Sequence, residues 1–210
     1  SSDNSQWALH ALSLPSAWPM TKGRATIAYL DSGLVTAHED LASNFRAHLS
    51  RNVTFSGPGS RVTNNLEDEH YVPESSTNYP GHGTHVAGII AATNDNGLGI
   101  SGSCPKCSLI AVKDSDPSTD GFVNSIDFAI AAGVQVINFS GELFDNPCLV
   151  PATDPRPWCK ALGRAREAGI SIIAAAGNRA GFGTGAFTLP PAPANSEGVI
   201  AVVLVAGAFV

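Results

Sequence analysis

Two histidines, His82 and His85, stand three apart in the glycine-rich stretch YPGHGTHVAG (79–88). Asp31 closes an apolar run at DSG (31–33), and Asn178 closes another at AAAGN (174–178). A neutral imidazole serves as a general base when a buried carboxylate fixes its tautomer and stabilises the imidazolium that forms. Asp31 can do this for His82, and the glycines flanking His82 leave its ring open to an approaching substrate. An amide donor at the end of a rigid strand, the expected place of Asn178, can serve a developing oxyanion. Taken singly, each has a plainer reading: His82 as a helix-start residue satisfied by backbone, and Asn178 as a turn former after Gly177. His85 is read as a packed helix residue. A zinc set of His82, His85, Cys104 and Cys107 is a weak alternative, because paired histidines without the acid of an HExxH helix carry little signal.

These residues must be placed by the elements around them. Buried-strand patterns run over 24–33, 108–114, 134–140, 171–178 and 198–205, and helical patterns over 83–93, 121–133 and 160–169. Strands that are apolar throughout and alternate with helices imply an α/β fold, doubly wound, with a mostly parallel sheet covered on both faces. In such sheets functional residues gather beyond the carboxyl ends of strands, where Asp31, Ser140 and Asn178 are all expected. The loops are 57–65, the acidic Glu67-Asp68-Glu69, read as a solvated face, and the proline-rich 147–157 and 190–193. No repeat or linker divides the chain, so 1–210 is read as one domain.

Composition narrows the partners. A net charge of −6 and a pI near 5.4, with no Lys/Arg cluster, argue against nucleic acid. The longest apolar run, 199–210, is too short to cross a membrane as a helix, so no membrane partner is expected. A start at Ser1 without Met, basic or apolar leader segments reads as a processed or excised chain. The four cysteines form two local groups, Cys104 with Cys107 and Cys148 with Cys159. The even count in loops points to disulfides and an oxidising compartment, with half of a zinc site as the rival reading.

In chain order, DSG (31–33), HGTHVAG (82–88) and AAAGN (174–178) resemble the subtilases, the subtilisin-like serine peptidases. The weaker segments VINFS (136–140) and GVIAV (198–202) also resemble strands of that family, so the likeness covers nearly the whole chain. The Asp-then-His order agrees with subtilisin. The resemblance implies a serine endopeptidase domain, acting through an Asp-His-Ser triad on peptide or protein substrates. Asp31 would be the orienting acid, His82 the base and Asn178 the oxyanion donor. Ser118, Thr119, Asp120 and Gly121 would pair with an extended substrate, as would Ser140 and Gly141, and Ala174, Ala175, Ala176 and Gly177 would border it. Structural calcium is implied as well. Asp40 matches a ligand position, Thr93, Asp95, Leu98 and Ile100 lie on an oxygen-rich loop, and Asp3 or Gln6 would complete the set. The family likeness further implies a secreted, bacterial, monomeric protein made with a propeptide.

Departures from the family pattern matter. The family's nucleophile lies in a Gly-Thr-Ser segment beyond the GVIAV strand, and no Gly-Thr-Ser occurs in these 210 residues. The apolar ending VLVAGAFV (203–210) is read as a truncation or altered reading frame, and the chain by itself is expected to have little peptidase activity. Ser140-Gly141-Glu142-Leu143 replaces the family's Ser-x-Gly, which leaves the specificity pocket open. A peptide-binding pseudo-peptidase is the alternative reading, disfavoured by retention of Asp31, His82 and Asn178. Dinucleotide binding through GFGTGA (181–186) is rejected, because the run leads into FTLPP rather than a helix.

Overall fold

The computed structural model describes residues 6–53, 64–68, 81–114, 118–143, 145–150, 153–177 and 190–202. Two short helices, α1 (Trp7–Ala11) and α2 (Leu14–Ala17), precede strand β1 (Thr26–Asp31). Then follow β2 (Arg51–Asn52), α3 (His82–Ala91), β3 (Ser108–Lys113), α4 (Thr119–Ala131), β4 (Val136–Phe139), α5 (Pro157–Glu167), β5 (Ser171–Ala175) and β6 (Val199–Val202). Among the described residues the strands form one sheet in the order β2-β3-β1-β4-β5-β6, and every pair is parallel.

The doubly wound α/β expectation holds, for the reason the strand composition suggested. Successive side chains of β1 enter different cores. Ala28 and Leu30 join Ile110, Val112, Ile137 and Ile172 under α4 and α5. Ile27 and Tyr29 join Leu109 and Ala111 beneath the Ala87–Ala91 side of α3. A strand buried on both faces has no place for polar alternation, so it reads as continuously apolar. Chain order then creates the working edge. The connection from β1 through α3 leads to β3 on one side, and the connection from β3 through α4 leads to β4 on the other. Between such diverging connections the sheet leaves a crevice at the carboxyl ends of its strands.

The helices start earlier than their apolar patterns suggested. Pro157 stands at the first position of α5, where a missing N–H costs nothing, and Ser118 caps α4 through its Oγ, which accepts the Gly121 N–H at 3.1 Å. The expected disulfides are present as Cys104–Cys107 and Cys148–Cys159, with Cα separations of 5.4 and 5.6 Å. The first lies against the Gly23 backbone; the second ties residue 148 to α5. Both pairs are consumed as disulfides, which removes the zinc reading of Cys104 and Cys107.

Candidate active site

Asp31 is the last residue of β1 and His82 the first of α3, 51 residues apart in sequence, and the fold brings them into contact. The His82 Nδ1–H donates to Asp31 Oδ1 at 2.7 Å. The same oxygen accepts the Ser32 backbone N–H at 2.8 Å, so the carboxylate is pinned from its own turn. The Asp31 side chain is 5% exposed and the His82 side chain 42% exposed. With Nδ1 committed to the acid, ring geometry places Nε2 on the opposite side. His82 lines a cleft open to solvent. The hydrogen bond from the ring to Asp31 raises the His82 pKa above 6.5; partial burial opposes this, and the charges of Asp31 and Asp68 add to it. Burial, reinforced by the same two charges, raises Tyr29 well above its ordinary value, and its neutral hydroxyl donates to Gly33 O at 3.0 Å.

Close approach of β1's turn to α3 depends on glycine. A Cβ on Gly83 would lie 2.3 Å from Gly33 O and 3.0 Å from Gly33 N, both backbone atoms. Gly33 itself has φ +129, where a side chain is strained, and its Cβ would meet Leu66 O at 2.6 Å. The glycines of DSG and HGTH thus serve the packing that joins the acid to the base.

The rest of the cleft comes from the neighbouring strand ends. Beyond β3 lie Asp114 and Ser118, with Phe122 on α4; beyond β4 lie Ser140, Gly141, Glu142 and Leu143. Phe122 and Phe139 meet edge to face at 5.1 Å and form an apolar wall. Asp31, Asp114 and Glu142 make the lining acidic, with no Lys or Arg among the described lining residues.

Several sequence expectations change here. Thr119, Asp120 and Gly121 do not present an extended edge: they are the first turn of α4, because the Ser118 side chain caps that helix. Ser118 itself remains extended and faces the cleft. Ala174 is buried and paired on both sides, to Phe139 and Ala201, so the sheet already uses its backbone. Ala175 pairs with Val202, Ala176 N–H donates to Val202 O at 2.9 Å, and Gly177 turns with φ +90 against Pro191. Asn178 lies outside the described residues, as do Asp3 and the 181–186 run. His85, expected to be packed, is exposed among the described residues.

The acidic triplet also departs from expectation. Glu67 is exposed, but Asp68 is only 4% exposed, because its carboxylate is drawn under the start of α3. Ser32, Thr84 and Asp68 form a network around the pair that local patterning did not reveal. The one available signal was the Thr of HGTH, a residue suited to bonding beside a helix start.

The loop read as a calcium site closes around Asp40, which is 2% exposed. Asp40 Oδ1 accepts Asn96 Nδ2–H at 2.7 Å, Oδ2 accepts Ile100 N–H at 3.0 Å, and Asp40 O accepts Thr93 N–H at 2.9 Å. A Cβ on Gly99 would sit 2.3 Å from Asp40 Oδ2, so the loop can fold onto the carboxylate only with glycine there. Gln6 joins the loop through Ser101 N and O, at 2.8 and 2.9 Å. Asp40, Asn96 and Gln6 bring oxygens of the hard kind that calcium prefers to this loop, and each of these oxygens accepts a hydrogen bond from the loop itself. Asp95 is not part of it: its side chain is 82% exposed and pairs with Lys22 Nζ at 3.1 Å.

Comparison with known proteins agrees with this geometry. A model described as the subtilase family matches residues 22–207. Thermitase of Thermoactinomyces vulgaris is 33% identical over 205 residues, covering 94% of this chain and 61% of thermitase. Subtilisin E of Bacillus subtilis is 33% identical over 172 residues, covering 78% of this chain and 37% of that protein. Among solved structures, the epidermin leader peptide processing serine protease of Staphylococcus aureus superposes with a TM-score of 0.64. At 19% identity, over 89% of this chain and 48% of the other, that likeness speaks to the fold. The chain thus spans between about one third and three fifths of the curated relatives named here. With Asp31 at the end of β1 in contact with His82 at the start of α3, and a family match over 186 of 210 residues (22–207), this chain belongs to the subtilase family.

Proposed function

We propose that these residues are the acid-and-base portion of a serine endopeptidase domain that hydrolyses peptide bonds of protein substrates. The observation that carries this reading is the 2.7 Å contact between His82 Nδ1 and Asp31 Oδ1 at the edge of an open cleft. In this reading His82 Nε2 takes the proton of a serine hydroxyl as that oxygen attacks the scissile carbonyl, then returns it to the leaving amine. Asp31 stays ionised, holds the ring in the Nδ1–H tautomer and stabilises the imidazolium. Asn178, the residue after Gly177 in sequence, donates to the carbonyl oxygen as its charge develops. Ser118, Ser140 and Gly141, on the two sides of the cleft, border an extended peptide, with Phe122 and Phe139 receiving an apolar side chain.

The serine is the missing partner, since no Gly-Thr-Ser occurs in the 210 residues. A fluorophosphonate probe and a chromogenic peptide test the assignment on two proteins: the chain alone, and the chain followed by a subtilase segment carrying Gly-Thr-Ser. The chain alone is expected to remain unlabelled and inactive, and the joined form to be labelled and to cleave. Labelling of the chain alone would refute the role given to the absent segment. A joined form that folds and binds peptide without labelling would favour the pseudo-peptidase reading.

Calcium belongs to the same proposal as a structural ion, held by Asp40, Asn96, Gln6 and backbone oxygens of 93–100, where its bond to the loop would restrain the segment after α3. At calcium about 100-fold above its dissociation constant, the folded state gains about 2.7 kcal/mol, or several degrees in Tm for a domain of this size. That shift is expected by thermal melting with and without EDTA, and Asp40→Asn should abolish it. An equal shift in Asp40→Asn places any ion elsewhere. The two disulfides support an oxidising, extracellular location. We read the protein as a secreted bacterial monomer made with a propeptide.

A further inference from the structure

Helix α3 starts without a cap of its own. Its N-cap is Gly81, at φ +76, which has no side chain to accept the first amides. Those amides are taken by residues from elsewhere. Gly83 N–H donates to Ser32 Oγ at 3.1 Å, and Thr84 N–H donates to Asp68 Oδ2 at 3.1 Å. The Thr84 hydroxyl donates to the same Asp68 oxygen at 3.0 Å, while its own oxygen accepts Val35 N–H at 2.9 Å. The other oxygen, Asp68 Oδ1, accepts the Ser32 hydroxyl at 3.0 Å. One buried carboxylate therefore holds the residue after Asp31 with one oxygen and the second residue after His82 with the other.

We propose that Asp68 is a positioning residue for the acid–base pair: it caps α3 from outside the helix, grips Ser32, and so fixes the His82 ring against Asp31. This rests on reading His82 as the base. Ser32 belongs to the turn after β1, and Thr84 to the first turn of α3. Ser32 and Thr84 also bond directly across the gap, Gly83 N–H to Ser32 Oγ and Val35 N–H to Thr84 Oγ1, and Asp68 ties both hydroxyls to one carboxylate. The Asp31–His82 bond must survive the ring's gain and loss of a proton in every cycle. A second carboxylate, bonded to neighbours that do not titrate near neutral pH, keeps the ring in place in both protonation states. Its charge lies at the helix start, where negative charge is favoured, and it favours the imidazolium of His82. Among the described residues, Asp31 contacts the ring, Asp114 and Glu142 line the same cleft, Tyr29 lies near Asp31 and Asp68, and Lys113, paired with Asp31 in the sheet, donates its ammonium to Glu67 O.

The test is a proton NMR titration of the His82 Hε1 signal in the 210-residue chain, in its unmodified form and as Asp31→Asn and Asp68→Asn. Asp31→Asn is expected to lower the His82 midpoint by about 1 unit or more, as loss of an adjacent opposite charge does. Asp68→Asn, which keeps size but removes charge, is expected to lower it by roughly 0.3–0.5 unit, the smaller share of a more distant carboxylate. A purely structural Asp68 would leave the midpoint where it was, and a change below about 0.1 unit would overturn the proposal. A midpoint indifferent to Asp31→Asn would instead overturn the reading of the pair, and this proposal with it. If Asp68→Asn fails to fold, the Thr84 amide proton of the unmodified chain decides. It should move upfield as pH is lowered through the carboxylate range, and a Thr84 amide that ignores that range would refute the contact.

Discussion

Replacing His82 by alanine, in the chain joined to a subtilase segment that carries Gly-Thr-Ser, is expected to lower kcat by about 10⁶-fold. The figure follows the behaviour of subtilisin, where losing the base alone costs about as much as losing the whole triad. The physical reason is that a serine hydroxyl is a poor nucleophile without a base at hydrogen-bond distance, and among the described lining residues His82 is the one imidazole. Asp114 and Glu142 line the same space, but neither is the residue that Asp31 orients. Because acid and base act as one unit, the double variant Asp31→Asn/His82→Ala should be no slower than His82→Ala. Steady-state kinetics on a chromogenic peptide measures both. A loss of less than about 10³ for His82→Ala, or losses that simply multiply, would remove His82 from the role assigned to it.

Asp31→Asn in the same joined form should lower kcat by about 10⁴, because an amide at that position favours the wrong imidazole tautomer and leaves the imidazolium unstabilised. The pH profile carries a second, independent sign. The hydrogen bond with Asp31 raises the His82 pKa above 6.5, and only the deprotonated ring can act as base. Activity of the unmodified site should therefore climb as pH passes upward through that raised value. In Asp31→Asn the climbing limb should move to lower pH, since the interaction that favours the protonated ring is gone. A limb that stays in place would separate Asp31 from the titration. Linkage has the same sign in folding: the pair's extra stability is fully present below the unfolded value of 6.5, and it fades as pH rises through the raised folded value. With the ring 42% exposed, solvent screening keeps this contribution small, so activity rather than melting is the sensitive readout.

Much of this protein is legible along the chain. Strands β1, β3, β4 and β5 are continuous apolar runs because both sheet faces are covered, and that pattern survives in one dimension. Strand ends mark where function collects, so Asp31 and Ser140 could be picked out before any contact was known. The short motifs DSG and HGTHVAG carried their own glycines, and Gly33 and Gly83 prove necessary because backbone atoms crowd both positions. Cysteine spacing was equally local: both disulfides close short loops.

What the chain could not disclose is which side of each residue faces inward once distant segments meet. Asp68 and Glu67 are adjacent acids in one run, yet Asp68 is buried and Glu67 is exposed, because only Asp68 lies under the start of α3. Asp40 and Asp95 looked equivalent as loop acids, but the wrap of 96–100 encloses the first while Lys22 draws the second outward. Residues 119–121 are helical because Ser118 caps them, and His85 is exposed although it follows His82 by three positions on α3. Local composition and periodicity determined the class of fold, and the short motifs DSG and HGTHVAG singled out Asp31 and His82. Tertiary structure decided their 2.7 Å contact and the carboxylate that braces it, since a hydrogen bond across 51 residues exists only after the sheet has formed.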